Sequence, residues 1–552
     1  MRAQGLLMTF KFFNCILAFL LVFGTTCAAV AQQAGTGIQI SAGSHAPATP
    51  LKHFWSNTVG AGRANEGLRA SWQEQLQMAV KFDGFRYVRF HGLFHDDMFV
   101  YHEQNGKPAY NFQYIDDLFD RMLADGARPF VELGFSPSDM VTEKGSTGFW
   151  WKGNGSPPNN YQKWSELVRH FLNHCIERYG ADEVRSWYFE VWNEPDLGGF
   201  FTGTQAQYFD LYKTTAITIK QVDPQLRVGG PATSNFHPDP EVLKQAVAAH
   251  ADLENLPWRP TWLPEFFKYC TENHLPLDFL STHPYPMDFT TDDKSKVLLH
   301  RGINSTHDDL LLLRRFVDSS AYPHAEIHLT EWSSSSSSRD HTHDSLQAAA
   351  FIVKTNLDSI GLVDSLSYWT FTDVFEEQGA GDSIFHGGFG MINYQSIPKP
   401  VFHGYRFLNE LGDELLARSP GAVVTRNSKT GKLTALAYNY PPEVSVSLPG
   451  TSSLEEADKM TNIGSARALS VTLTGLAPGA PFEIETLDKE HANTTAAWEA
   501  MGKPDPPTRE QTAALKAAAW NTKREILRSD ANGTLIIHQS LPAWALLLIR
   551  QL

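Results

Sequence analysis

Trp187-Tyr188-Phe189-Glu190-Val191-Trp192-Asn193-Glu194-Pro195 is a run of aromatic and β-branched residues that ends on Asn-Glu and stops at a proline. Such side chains suit a buried strand, and the proline cannot extend a sheet ladder. Ile327-His328-Leu329-Thr330-Glu331-Trp332 has the same design and again delivers a glutamate at its C-terminal end. Working outward, strands are predicted at 86–91, 128–135, 186–192, 227–230, 278–283, 326–331 and 365–372, with one more near His53 to Thr58. Helical periodicity separates them at 114–125, 161–179, 205–222, 262–274, 307–319 and 345–360; Trp164, Leu167, Val168, Phe171, Leu172 and Cys175 share one face of the second of these. The alternation, with polar residues gathered at strand C-terminal ends and no glycine-rich phosphate loop after an early strand, predicts an α/β fold. It is a (β/α)8 TIM barrel rather than an open doubly wound sheet.

The rest of the chain divides around this barrel, which is expected to occupy residues 51–400. Residues 1–31 read as a signal peptide: Arg2 and Lys11 flank its start, Phe12 to Phe23 form an apolar run, and Ala29-Val30-Ala31 fits a cleavage site. An exported protein, periplasmic or secreted, is the expectation. Residues 32–50 look like a linker running into a first strand. After Pro398-Lys399-Pro400 a helical stretch near 402–418 leads into short runs punctuated by Gly and Pro, among them 422–425, 433–438, 444–448, 469–473, 482–486, 534–538 and 543–549. They predict a C-terminal accessory β-sandwich domain over 401–552, with a partly helical insertion at 490–520.

With 552 residues, 42% hydrophobic and 19% charged, the chain excludes disordered, collagenous and disulfide-scaffold classes. Net charge is −15, and loss of Arg2 and Lys11 with the leader takes it to −17. That balance disfavours nucleic acid and anionic membranes and leaves a neutral partner as the expectation, with no stable membrane insertion. Beyond the leader only Cys175 and Cys270 remain, both on apolar helix faces and expected as buried thiols. His341-Thr342-His343-Asp344 has no third ligand at regular spacing, so loop hydrogen bonding is expected there and no metal.

Glu194 and Glu331 end the fourth and seventh predicted barrel strands, where this architecture points side chains into a cleft. Either alone could simply pair with a barrel arginine. Together, carboxyls about 5 to 5.5 Å apart suit glycoside hydrolysis with retention, provided burial or a neighbouring negative charge keeps one of them protonated.

Asn193-Glu194-Pro195 after an aromatic strand resembles a motif shared by a clan of barrel glycosidases. The narrower likeness, from about Phe54 onward, is to glycoside hydrolase family 39, the β-xylosidases and α-L-iduronidases. It is carried by Arg89-Phe90-His91-Gly92-Leu93, Tyr110-Asn111-Phe112, Arg128-Pro129-Phe130-Val131-Glu132, Val228-Gly229-Gly230-Pro231-Ala232, residues 367–377 and Phe385-His386-Gly387-Gly388-Phe389-Gly390. The resemblance implies Glu194 as acid/base, Glu331 as nucleophile and Asn193 as a ligand of the sugar 2-hydroxyl, with a small carbohydrate substrate and no cofactor. It also implies sugar contacts from His91, Asp96, His283, Tyr285, Glu376 and Glu377, and stacking by Trp369 and Phe385. Ser281-Thr282-His283-Pro284-Tyr285 resembles the xylosidase branch, whereas iduronidases carry a lysine nearby and no lysine lies between Lys268 and Lys294. The six serines of 333–338 and Pro284 depart from the family pattern. An arabinoside, a glucoside or a longer polysaccharide is the alternative substrate, and a non-catalytic carbohydrate-binding protein the alternative class.

Overall fold

The computed structural model describes residues 37–144, 147–249, 256–292, 295–444 and 453–552. The expected leader, with Cys15 and Cys27, lies outside these residues, as does most of the strand expected at 444–448.

Eight parallel strands close into a barrel in chain order: β1 (Thr58–Arg63), β2 (Tyr87–His91), β3 (Arg128–Leu133), β4 (Tyr188–Val191), β5 (Arg227–Thr233), β6 (Phe279–Thr282), β7 (Glu326–Trp332) and β8 (Ser365–Tyr368). Tyr368 pairs with Val59 to shut the ring. The outer helices are α1 (Ala70–Asp83), α2 (Gln113–Ala124), α3 (Tyr161–Tyr179), α4 (Gln205–Val222), α5 (Leu263–Glu272), α6 (Ser305–Asp318), α7 (Leu346–Asp358) and α8 (Pro400–Asn409). α3 begins where Asn160 caps it, accepting from the amides of Gln162 and Lys163, and ends at Gly180. Cys175 and Cys270 are buried free thiols.

Period-two alternation sorts the barrel interior into layers. Phe130, Tyr188 and Phe279 pack with His328 as an aromatic floor; the Phe130 and Tyr188 rings stack at 4.8 Å. Gly229 makes room, since a Cβ there would fall 2.2 Å from the Phe279 carbonyl oxygen. One step up the same strands, Arg89, Glu132, Glu190 and Thr330 replace the aromatics, and all are fully buried. The barrel therefore has an apolar base and an ionic ceiling.

Three expectations are corrected. The first barrel strand is Thr58–Arg63, not His53 to Thr58; residues 54–56 form a short 3-10 turn instead. Its glycines disguise it: a Cβ at Gly60 would lie 2.3 Å from the Trp369 ring, so close packing removed the β-branched signature. Within residues 32–50 the expected first strand is present at Ile38–Gly43, but it pairs in parallel with Arg467–Thr474 of the C-terminal domain and so belongs to that domain. The helix expected over 402–418 ends at Asn409, and Glu414–Ser419 is a strand paired with Ala422–Arg426.

The C-terminal domain is a two-layer sandwich. A seven-stranded sheet built around 414–438, 481–487, 523–528 and 546–551 faces a three-stranded sheet of 38–43, 467–474 and 535–541. Ile38, Val424, Val471, Phe482, Ile484, Ile537 and Ile549 fill the space between them. The insertion folds as Thr494–Ala500 and Arg509–Ala519, and its Trp498 and Leu515 pack on Ile384, Phe385 and Ile397 of the barrel loops.

Candidate active site

Glu194 and Glu331 reach the barrel mouth by different routes. Glu331 is a residue of β7 itself, whereas Glu194 follows β4 in a turn where Trp192 (φ 75°) and Glu194 (φ 42°) both take left-handed backbone. Non-glycine residues occupy that region at a cost, which is tolerated where the surroundings hold the conformation. Here the Glu194 amide donates to the Ala232 carbonyl at 2.8 Å. The turn aims the Glu194 carboxyl at Glu331: one oxygen from each, with a ring nitrogen of His283, lie within 4.8 Å of one another.

Arg89 organises the ionic layer. Its Nε donates to Glu190 at 2.6 Å, Nη1 to Glu331 Oε1 at 2.8 Å and Nη2 to Asn193 Oδ1 at 2.8 Å, and Nη2 also lies 3.0 Å from Glu132. His91 Nδ1 meets Glu132 at 2.7 Å, and its Nε2 lies 3.5 Å from Glu331 Oε1. Burial opposes charging of this imidazole, but Glu132 and Glu331 outweigh it and raise its pKa. Tyr285 Oη donates to Glu331 Oε2 at 3.4 Å.

The two acids are unequal. Burial, together with the negative charges of Glu331 and Asp196, lifts the Glu194 carboxyl well above the usual range. Burial raises Glu331 as well, but Arg89 and His91 favour its anion. The proton the pair retains therefore belongs on Glu194 and the negative charge on Glu331.

Hydrogen-bond directions lead to the same assignment. Thr330 Oγ1 donates its single proton to Glu190 Oε1 at 2.8 Å and so must accept from His283 Nε2, 2.9 Å away. Burial beside Arg89 and His91 keeps His283 neutral, its pKa far below the ordinary value. With the proton on Nε2, Nδ1 is an acceptor; it faces Glu194 Oε1 at 2.9 Å, where only a protonated carboxyl can donate. Glu194, His283 and Glu331 could also offer three atoms to a cation. Those atoms already serve Arg89 and one another, and the guanidinium supplies the positive charge.

Most of the residues expected from the sequence gather here, and three do not. Asn193, His91, His283 and Tyr285 touch the pair or its clamp. Trp369 lies 4.8 Å from the His91 ring, below the Arg89 guanidinium, and forms a wall. Glu377 is close enough to feel Glu331, and burial with that charge pushes it up to about 7. Glu376 instead turns away to Arg69 (2.7 Å) and Arg63 (3.1 Å). Asp96 faces outward and caps the Ser138 amide at 2.8 Å. Phe385 packs 5.4 Å from Trp498, in the cluster formed with the insertion helices. The His341–Asp344 stretch is a loop brace: Asp344 pairs with Lys399 at 2.7 Å and accepts from the Gly387 amide. Arg89, Glu132, Glu190 and Thr330 were not singled out as site residues. The available signal was a charged or hydroxylated residue at an inward strand position, where burial demands a partner.

A parallel eight-stranded barrel whose mouth holds two buried glutamates, their nearest oxygens within 4.8 Å and their environments favouring the proton on one and the charge on the other, is the machinery of a glycoside hydrolase. The model of the glycosyl hydrolases family 39 matches residues 38–535, and the chain belongs to that family. A β-xylosidase of Geobacillus stearothermophilus is 35% identical over 500 residues, 89% of this chain and 90% of that protein. The crystal structure of a monomeric β-xylosidase from Caulobacter crescentus CB15 superposes with a TM-score of 0.80 at 32% identity, covering 93% of this chain and 99% of that one. An α-L-iduronidase of Mus musculus is more distant, 25% identical over 535 residues, 91% of this chain and 79% of that protein. Among the described residues no helix is long and apolar enough to cross a membrane.

Proposed function

We propose that the protein is an exported, exo-acting β-xylosidase that releases xylose from xylo-oligosaccharides or aryl xylosides by double displacement. The observation that carries the reading is the separation of the Glu194 and Glu331 oxygens, within 4.8 Å. That spacing suits direct attack and leaves no room for the water an inverting enzyme places between its carboxyls at about 6.5 to 9.5 Å.

In the first step Glu331 attacks the anomeric carbon as the glycosidic C–O bond breaks, and Glu194 gives its proton to the departing oxygen. Arg89 fixes Glu331 Oε1, so Oε2, with Tyr285 Oη 3.4 Å away, is the freer nucleophilic oxygen. The product is a xylosyl ester of Glu331. In the second step the now ionised Glu194 takes a proton from water, whose oxygen attacks the same carbon and frees Glu331. Xylose fits better than a uronic acid, because the ionised Glu331 would meet a substrate carboxylate with like charge and no lysine lies between Lys268 and Lys294 to hold one. Similarity to β-xylosidases at 35% identity favours the same sugar, and the leader pattern of residues 1–31 favours export.

The test is a 2-fluoro-xyloside with an activated leaving group. A covalent adduct mapped by peptide mass spectrometry to Glu331 is the expected result. An adduct elsewhere, or its absence in an enzyme that turns over xylosides, would overturn the mechanism. A panel of nitrophenyl glycosides tests the sugar.

A further inference from the structure

Chemistry at the sugar ring leaves one aromatic side chain at the cleft rim unused. Trp150 is 60% exposed, although its neighbours fold inward. Phe149 stacks on the His91 ring at 5.1 Å, and Trp151 stacks on Phe149 at 5.1 Å with the Arg63 guanidinium 5.4 Å from its own ring. Exposure alone is ordinary for a single apolar side chain; what distinguishes this indole is its attachment to both loops that frame the two acids.

Its segment is tied to the site from two sides. The Gly148 amide donates to the Gly199 carbonyl at 3.2 Å and Phe149 packs 4.9 Å from Phe200, both in the loop that follows Glu194. On the other side the Trp150 amide donates to the Glu377 carbonyl at 2.6 Å, and Glu377 is the carboxyl that feels Glu331. The indole rests beside the turn at Gly379, where an added Cβ would sit 3.8 Å from its Cδ1. Arg339 secures that turn through Nη2 to the Gly379 carbonyl at 3.4 Å. The ring lies next to this turn and is otherwise 60% exposed.

An acid that protonates a glycosidic oxygen stands beside the breaking bond, so the leaving group departs past the loop that carries the acid. That loop and the Trp150 segment are bonded to each other. We propose that Trp150 is the platform of a leaving-group subsite, stacking on the ring of the departing group. A second xylosyl unit and an aromatic aglycone both present the flat apolar face such a platform binds. The assignment rests on the retaining β-xylosidase reading of the same cleft.

The test compares the full-length enzyme with Trp150→Ala and Trp150→Phe on xylobiose, 4-nitrophenyl β-D-xyloside and β-D-xylosyl azide, whose leaving group has no ring. For Trp150→Ala, the ratio of kcat/KM on a ringed substrate to that on the azide is expected to fall about tenfold, and Trp150→Phe should recover most of it. A fall on xylobiose alone makes the platform one for sugar; a fall on the aryl substrate alone makes it one for aromatics. Unchanged ratios, or equal losses on all three substrates, would overturn the proposal. A wild-type enzyme inert towards all three would instead overturn the xylosidase reading, so the two failures are distinct.

Discussion

The barrel mouth and the junction between barrel and sandwich both bury arginine against glutamate, yet they balance charge in opposite directions. At the junction a single acid, Glu485, accepts from Arg406 (2.7 Å), Arg524 (2.9 Å) and Thr522 (2.6 Å). Burial alone would raise its pKa, but these partners draw it down to about 2. At the mouth Arg89 is shared among Glu132, Glu190 and Glu331, with Glu194 beside them and His91 as the second source of positive charge. A surplus of cations makes an inert staple; a surplus of carboxyls raises the pKa of Glu194 and favours its protonated form. Reactivity here comes from stoichiometry as much as from residue type.

Removing the acids of the mouth breaks the contrast most severely. If the proposed double displacement holds, Glu331→Ala should abolish formation of the xylosyl-enzyme, with kcat/KM down by at least about 10⁴-fold, whereas Glu194→Ala should lose about 10² to 10⁴-fold on substrates whose leaving group needs a proton. Azide should restore turnover of Glu194→Ala as β-xylosyl azide, detected by product analysis. At the junction the ranking reverses. Glu485→Ala should cost about 3–5 kcal/mol of stability in a denaturant titration, by leaving two guanidinium groups without their acid, while the folded enzyme keeps its kcat.

The third effect is smaller and concerns pH. On the proposed mechanism activity requires protonated Glu194 and ionised Glu331, so it should decline at high pH as Glu194 loses its proton and at low pH as Glu331 gains one. Both carboxyls are raised, which moves both limbs above the ordinary carboxylate range. Thr330→Val frees His283 to place its proton on Nδ1 and donate to an ionised Glu194. The high-pH limb of kcat/KM should then fall by up to about one pH unit, the equivalent of one hydrogen bond, and Thr330→Ser should restore it. A general loss of activity with an unmoved limb would reduce Thr330 to packing.

Asp83 at the end of α1 is the limiting case, a fully buried carboxyl with neither oxygen hydrogen-bonded among the described residues. Burial raises its pKa well above the usual value. A group raised in the folded state stabilises fully below its unfolded pKa, about 3.9, and that contribution is lost as pH rises towards the folded value. Asp83→Asn should therefore gain about 1.4 kcal/mol over wild type for each pH unit between about 3.9 and the folded pKa, the gain shrinking to nothing near pH 3 in thermal melts.

Strong periodicity made most of the barrel legible: α3 and α4 fall on the residues the pattern assigns, and β2 to β8 lie within or across their predicted runs. Misreadings arose where tertiary packing overrode local preference. Gly60 in β1 answers to the Trp369 ring, and Glu414-Leu415-Leu416-Ala417 favours helix locally but is held extended by its hairpin with 422–426. At the site, paired glutamates at strand ends were readable as chemistry. Side-chain direction in loops was not, so Asp96, Glu376 and Phe385, all plausible by type and place, point elsewhere. Arg89 and Glu190 were hidden in plain view, since an inward charge in an aromatic strand looks like a fault until its partners, distant in sequence, are known.

Ile38–Gly43 takes its place in the sandwich beside residues more than 420 positions later. During synthesis this early segment must wait, unpaired, until nearly the whole polypeptide has left the ribosome, and only then can the smaller layer assemble. The sandwich is thus completed by a strand from in front of the barrel, and replacing everything after about residue 410 would leave that strand without its partner.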